Sequence, residues 1–340
     1  MVPSGPAISR GLPFPEHPFW GDLPSIVPDL DRVRATVVRE AASADGAVGH
    51  ALENYVSRPG KMLRPGLVLV GSWAGKTGPD EAASERLIQI AAAVETLHLA
   101  TLIHDDVIDE ADTRRGRPAL HTLYGRRQAV LMGDYLLSRC FSMIAAGTER
   151  ENALRLAAAT GHLVRGEINQ MFDAAEGRFS RRSYLRRIAG KTAMLFGLSL
   201  VTGAAETKAK RREIALLARA GYNLGIAFQI IDDILDFTSQ TETLGKPVAA
   251  DLRAGIYNLP VIEAVRRDDR IRAAVVPPPA SESEARAAVE LIRAAGGVDR
   301  ARESAARYTE RAHEAISRLS SRPQRVALEH VAGRLLERDY

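Results

Sequence analysis

Two aspartate-rich segments, IHDDVID at 103–109 and QIIDDILD at 229–236, interrupt stretches that are otherwise apolar and helical in pattern. Asp105 and Asp109 are four residues apart, as are Asp232 and Asp236, so on a helix each pair shares a face. Asp106 and Asp233 follow the leading aspartates and project about 100° away from them. Like charges at this spacing oppose an isolated helix by roughly 0.2–0.5 kcal/mol, and burying them unpaired costs several kcal/mol more. A fold that holds both helices in its interior must therefore supply a cavity with counter-charge between them. A hard divalent cation such as Mg²⁺ meets that need, because it accepts one or two carboxylates and completes its shell with phosphate oxygens and water. Two acidic helix faces across one cavity could clamp a diphosphate through bridging metal ions. Neither segment has the alternating ligands and glycine turn of a calcium-binding loop. One such cluster alone would also be consistent with a solvated helix turn.

The remainder of the 340-residue chain supports a helical frame for these segments. Alanine, leucine and arginine are abundant and aromatic residues make up only 5%, which favours helices over sheets. Helical periodicity predicts helices over 30–55, 61–76, 81–109, 128–146, 149–175, 183–205, 208–237, 259–267, 284–295, 298–319 and 323–338. Residues 112–124 and 238–256 read as loops, and the proline-rich stretch 275–283 as a break. The expected fold is all-α, a single-domain bundle of ten or more helices around a central cavity. Residues 1–27, with several prolines, read as an irregular N-terminal arm that packs on the surface or is partly mobile, and 28–340 as the domain. The formal net charge of +4 excludes a polybasic nucleic-acid binder and suits an anionic substrate. A single cysteine, Cys140, fits a reducing compartment. The first residues lack a signal-peptide pattern and no uncharged apolar run reaches about 18 residues. A cytoplasmic protein is expected, with peripheral membrane contact if its product is apolar.

Basic residues flank the acidic clusters. Lys61 and Arg64 in GKMLRP sit at a predicted helix start, where backbone N–H groups favour anions. Arg114 and Arg115 follow the first cluster directly, and arginine suits bidentate phosphate binding. Lys246 follows the second cluster, Gln229 precedes Asp232 by one turn, and His98 lies two turns before Asp105. Lys191 and Thr192 in AGKTAM lack the upstream glycine and preceding strand of a nucleotide-binding phosphate loop. Each of these residues, taken singly, also reads as an ordinary basic turn or core residue.

Taken together and in order, GKMLRP, LIHDDVIDEADTRRGRPALH, GDYLL, GEINQ, AGKTA, FQIIDDILDF, GKPVAADL and NLP resemble the trans-prenyltransferases, the head-to-tail isoprenyl diphosphate synthases. The resemblance covers most of the chain and implies an isoprenoid-synthase-like all-α fold, usually homodimeric. It implies a polyprenyl diphosphate synthase that joins isopentenyl diphosphate to an allylic diphosphate. The expected magnesium ligands are Asp105, Asp106 and Asp109 with Asp232, Asp233 and Asp236. Arg114, Lys191, Thr192, Gln229 and Lys246 would contact the allylic diphosphate. Lys61, Arg64, His98 and Arg115 would hold isopentenyl diphosphate. Asp105, Asp109, Arg114, Lys191 and Asp232 form the expected catalytic set, with the departing pyrophosphate taking the proton. The chain departs from the pattern in AGIYNLP, where Ile256 stands at a frequent lysine position and Asn258 at a threonine position.

The residues just before the first cluster would line the product tunnel, and here Leu97, Ala100 and Thr101 include no aromatic. On a helix these small side chains lie below the aspartates and leave the tunnel open, and the resemblance then implies a long all-trans product of about thirty to fifty carbons. Tyr135, Phe141 or Phe172 could instead provide a floor and a shorter geranylgeranyl or farnesyl product. The competing classes are a catalytically silent partner subunit, which would lose aspartates, and a terpene cyclase, which would not need Lys61, Arg64 and Arg115.

Overall fold

The computed structural model describes residues 17–58, 60–75, 78–114, 116–175, 179–238 and 249–336. Two short 3₁₀ turns, Pro18–Trp20 and Pro24–Ile26, lead into α1 (Val27–Ala42), α2 (Gly46–Val56), α3 (Leu63–Ser72) and α4 (Glu85–Ile108). A two-residue antiparallel ladder, β1 (Thr113–Arg114) with β2 (Arg117–Pro118), precedes α5 (Leu120–Tyr124), α6 (Arg126–Gly147) and α7 (Arg150–Ala175). Helix α8 (Arg181–Ile188) passes through a π-helical turn, Ala189–Ala193, into α9 (Met194–Glu206), followed by α10 (Arg211–Thr238). The chain closes with α11 (Ala250–Arg253), α12 (Leu259–Arg267), α13 (Arg272–Val275), α14 (Glu282–Ala294), α15 (Gly297–Ser317) and α16 (Arg322–Leu336). The expected all-α fold is the fold observed.

Several local expectations change. The stretch 112–124, read as a loop, holds the β1–β2 ladder and α5, and residues 250–253 of the 238–256 loop form α11. The helix expected over 30–55 is two helices, because Ser43 caps α1 by donating to the Glu40 carbonyl at 2.7 Å and Gly46 turns the chain at φ +59°. The helix expected over 183–205 contains the π turn at AGKTA. Residues 17–26 are anchored through Phe19 and Trp20, which are buried, and the Trp20 indole donates to the Lys61 carbonyl at 2.8 Å.

Helix α4 is wrapped on all sides. Ala91, Ala92, Ala93 and Val94 are each 0% exposed, so consecutive residues on every face meet protein. Its start is capped by Ser84, whose hydroxyl accepts from the Leu87 N–H. Helix α10 runs through two cores. Its first half contributes to one core, shared with residues of α1–α4, α6, α9, α15 and α16, and its second half to another, shared with residues of α8, α12, α14 and α15. Among the described residues, four helical stretches have the length and composition to cross a bilayer: Glu85–Ile108, Arg126–Gly147, Arg181–Glu206 and Arg211–Thr238. In the first and third that apolarity is core, since 72% and 78% of their windows are buried in protein, whereas only 39% of the Arg126–Gly147 window is.

Candidate active site

The first acidic cluster occupies the C-terminal end of α4. Asp105 is buried, Asp106 is 1% exposed, and Asp109 caps the helix with its N–H on the Asp105 carbonyl at 2.8 Å. Lys191 Nζ lies 3.2 Å from Asp105 Oδ2 and 3.1 Å from Glu167 Oε1, so one ammonium bridges two carboxylates from α4 and α7. Asp106 faces elsewhere. The β1–β2 ladder, turned at Gly116 with φ +72°, folds Arg114 back onto α4, where its Nε donates to Asp106 Oδ1 at 2.7 Å. Arg114 Nη2 pairs with the same oxygen. A carboxylate this buried needs a counter-charge, and Arg114 is that charge for Asp106 Oδ1. Arg114 is in turn held by protein rather than open on a loop.

The second cluster sits near the end of α10. Asp232 is exposed and Asp236 half-buried on one face. Asp233 points into the second core, where Tyr184 Oη donates to its Oδ2 at 2.6 Å and Gln229 Nε2 to its Oδ1 at 3.0 Å. Burial pushes the Asp233 carboxyl up to about 7, against the pull of those two hydrogen bonds. Asp233 is thus placed apart from Asp232 and Asp236, bonded to Tyr184 and Gln229. Gln229 is also engaged, accepting from Thr192 Oγ1 at 2.7 Å.

The two clusters converge through the π turn. Lys191 and Thr192 are neighbours in the chain, and one bonds Asp105 on α4 while the other bonds Gln229 on α10. Gly225 allows this approach, because a Cβ there would lie 2.5 Å from the Ala193 Cα. Insertion of a π turn widens the helix and redirects its side chains, a device common at working sites. Asp251, at the start of α11, acts electrostatically on both Asp109 and Asp233, which sets it between the clusters.

The site carries surplus negative charge. Desolvation raises the Asp109 carboxyl, with Lys191 and Arg114 opposing and Asp105 and Asp251 adding to the rise. Glu167 is raised by desolvation too, despite Lys191 beside it. Burial alone would lower the Lys191 ammonium, but Asp105, Glu167 and Asp109 together outweigh it and raise it. Among the described residues, no three His, Cys, Asp or Glu side chains close up into a metal cage of their own. An open, all-oxygen, over-charged pair of faces is the donor set that magnesium shares with phosphate.

A second basic group flanks the site. Lys61 is exposed just ahead of α3, with its Nζ 5.9 Å from the Phe19 ring centre. The Arg64 guanidinium lies 5.7 Å from the Phe196 ring, which stacks on Phe228, the residue before Gln229. His98 is half-buried on α4 and its carbonyl accepts from Thr101 Oγ1 at 2.8 Å. Leu97 and Ala100 belong to the buried core. Tyr135 turns to Ser43 on α1, with the hydroxyls 2.9 Å apart, and Phe141 is 42% exposed, so neither residue fits the floor suggested for it. Arg115, Lys246 and the Phe172 side chain lie outside the described residues.

Glu167, Tyr184, Arg187 and Asp251 were not singled out from sequence. Glu167 and Asp251 lie inside the GEINQ and GKPVAADL segments, which marked them only as parts of a motif. Tyr184 and Arg187 sit in an amphipathic helix with no local signal of their own.

Residues 46–292 match the family model described as polyprenyl synthetase. The chain is 36% identical to heptaprenyl diphosphate synthase component 2 of Geobacillus stearothermophilus, over 92% of this chain and 96% of that protein. It is 35% identical to the nonaprenyl diphosphate synthase of Mycobacterium tuberculosis, over 87% and 88% of the two chains. The crystal structure of geranylgeranyl pyrophosphate synthase from Lactobacillus brevis superposes with a TM-score of 0.86 at 31% identity, covering 95% of this chain and 100% of that one.

Proposed function

The chain belongs to the polyprenyl synthetase family and is a prenyltransferase, and from that premise we propose that it joins isopentenyl diphosphate head-to-tail to an allylic diphosphate in the cleft between α4 and α10. The product is a long all-trans polyprenyl diphosphate, in the range of the hepta- and nonaprenyl synthases it resembles. One observation carries the choice of site: adjacent residues of a single π turn bond one acidic helix and the other.

Asp105 and Asp109 on one side and Asp232 and Asp236 on the other would hold magnesium, which when bound neutralises the allylic diphosphate and its departing pyrophosphate. Lys191, shared by Asp105 and Glu167, is positioned to transfer its attraction to phosphate oxygens as charge develops on them. Thr192 and Gln229 fix each other, and Asp233 fixes Gln229, so this wall is rigid before substrate arrives. Arg114 is oriented by Asp106. Lys61, Arg64 and His98 would hold the second diphosphate. With both diphosphates held, the isopentenyl double bond meets the allylic carbon and the proton leaves to the pyrophosphate. The growing chain would run past Leu97, Ala100 and Thr101.

Self-association is part of the proposal, supported by the exposed apolar side chains Leu123, Tyr124, Val130, Leu131 and Phe141 along α5 and α6. So is a cytoplasmic location with membrane contact at product release. The test is incubation of purified protein with isopentenyl diphosphate, Mg²⁺ and allylic primers of several lengths, followed by product sizing. Long-chain products are expected. No elongation from any primer would sink the proposal, and elongation only with an added second protein would favour a heteromeric synthase.

A further inference from the structure

Helix α8 carries a third cation that the site has so far left without a role. Tyr184, Arg187 and Lys191 follow at spacings of three and four, so they run along one side of α8 and its π turn. Tyr184 reaches Asp233 of the second cluster and Lys191 reaches Asp105 of the first. Arg187 lies between them in the chain. Its guanidinium rests 5.2 Å from the Tyr184 ring centre, and its Nη2 donates to the Tyr257 carbonyl at 3.2 Å. A guanidinium has five N–H donors in a planar fork, and that bond uses one of them.

The charge distribution gives those donors a purpose. Arg114 is committed to Asp106, and Lys191 stands between Asp105 and Glu167, so both described cations of the first cluster are already engaged there. On the side of the second cluster, Arg187 lies over the ring of Tyr184, whose hydroxyl donates to Asp233 at 2.6 Å. The neighbouring segment contributes no cation of its own: Ile256 stands half-buried beside Tyr257, and Asn258 is buried with both side-chain polar atoms lacking a partner among the described residues.

We propose that Arg187 is a diphosphate-binding residue of the allylic site, supplying from α8 the positive charge that the 256–258 segment does not. The Tyr257 carbonyl and the Tyr184 ring hold the planar group, and its remaining donors face phosphate oxygens bound at the second cluster.

This inference rests on the proposed prenyl transfer, and the experiment separates the two. Wild-type elongation is measured first, and Mg²⁺-dependent binding of inorganic pyrophosphate is measured by calorimetry in parallel, so Arg187 is tested even if no primer is elongated. Arg187→Met is expected to raise KM for the allylic substrate and Kd for pyrophosphate by about tenfold or more. KM for isopentenyl diphosphate and the melting temperature should stay near wild type. Arg187→Lys should recover part of the loss, and adding Ile256→Lys to Arg187→Met should recover more, because it restores a cation from the facing segment. Unchanged allylic KM and pyrophosphate Kd would overturn the inference. So would equal losses for both substrates with a lower melting temperature and no rescue by either lysine, which would make Arg187 a tie between α8 and residue 257 and nothing more.

Discussion

Neighbouring carboxylates of the same sequence motif have different fates here, and burial decides which. Asp232 is exposed to the cleft while Asp233, one residue on, is enclosed with Tyr184 and Gln229. Its carboxyl at about 7 has a consequence for stability. A folded-state value above the ordinary 3.8 means that the folded protein holds the proton more tightly than the unfolded chain does. The favourable contribution is complete below pH 3.8, falls as pH rises, and is gone above about 7. Metal-free protein should therefore lose stability between pH 5 and pH 7.5 through this group, by no more than about 3 kcal/mol. Asp233→Asn, which cannot ionise, should show a shallower fall; parallel melting curves for the two proteins across that range would remove Asp233 from the account.

At the scale of elements, the decisive piece is the π turn rather than either acidic helix. It seats Lys191 and Thr192 only because Gly225 leaves α10 without a side chain at the contact. Gly225→Ala should push the two segments apart, cost about 1–3 kcal/mol by overpacking, and lower elongation by more than the folded fraction alone explains. Chemical denaturation and steady-state rates on the same preparation check both halves of that expectation. The face of α4 below the aspartates makes a separate prediction. Ala100 is 1% exposed, so Ala100→Phe should fill the space beside it and shorten the product, which chromatography of the hydrolysed prenyl chains would report. A product of unchanged length would dismiss Ala100 as a tunnel residue.

For the whole molecule, the apolar side chains left in solvent along α5 and α6 set an expectation about assembly. Leu131 is 59% exposed and Leu123 55%, an arrangement that a second copy would cover. Sedimentation should find a dimer, and Leu131→Asp should shift it towards monomer without unfolding the bundle. A wild-type monomer at micromolar concentration would reject this surface as the contact.

Much of this architecture was legible in the linear chain. Helical periodicity and low aromatic content pointed to an all-α bundle, and the four-residue aspartate spacing marked the helices that border the cleft, because both are local consequences of a 3.6-residue repeat. Adjacency in sequence could not tell which aspartates face the cleft. Asp106 and Asp233 belong to the motifs, yet they are claimed by Arg114 from a hairpin and by Tyr184 from another helix. Glu167, Arg187 and Asp251 acquire their places only when α7, α8 and α11 pack around α4 and α10. A single turn of sequence determines spacing and charge, but the partner that neutralises a buried charge comes from a distant segment, and only tertiary packing selects it.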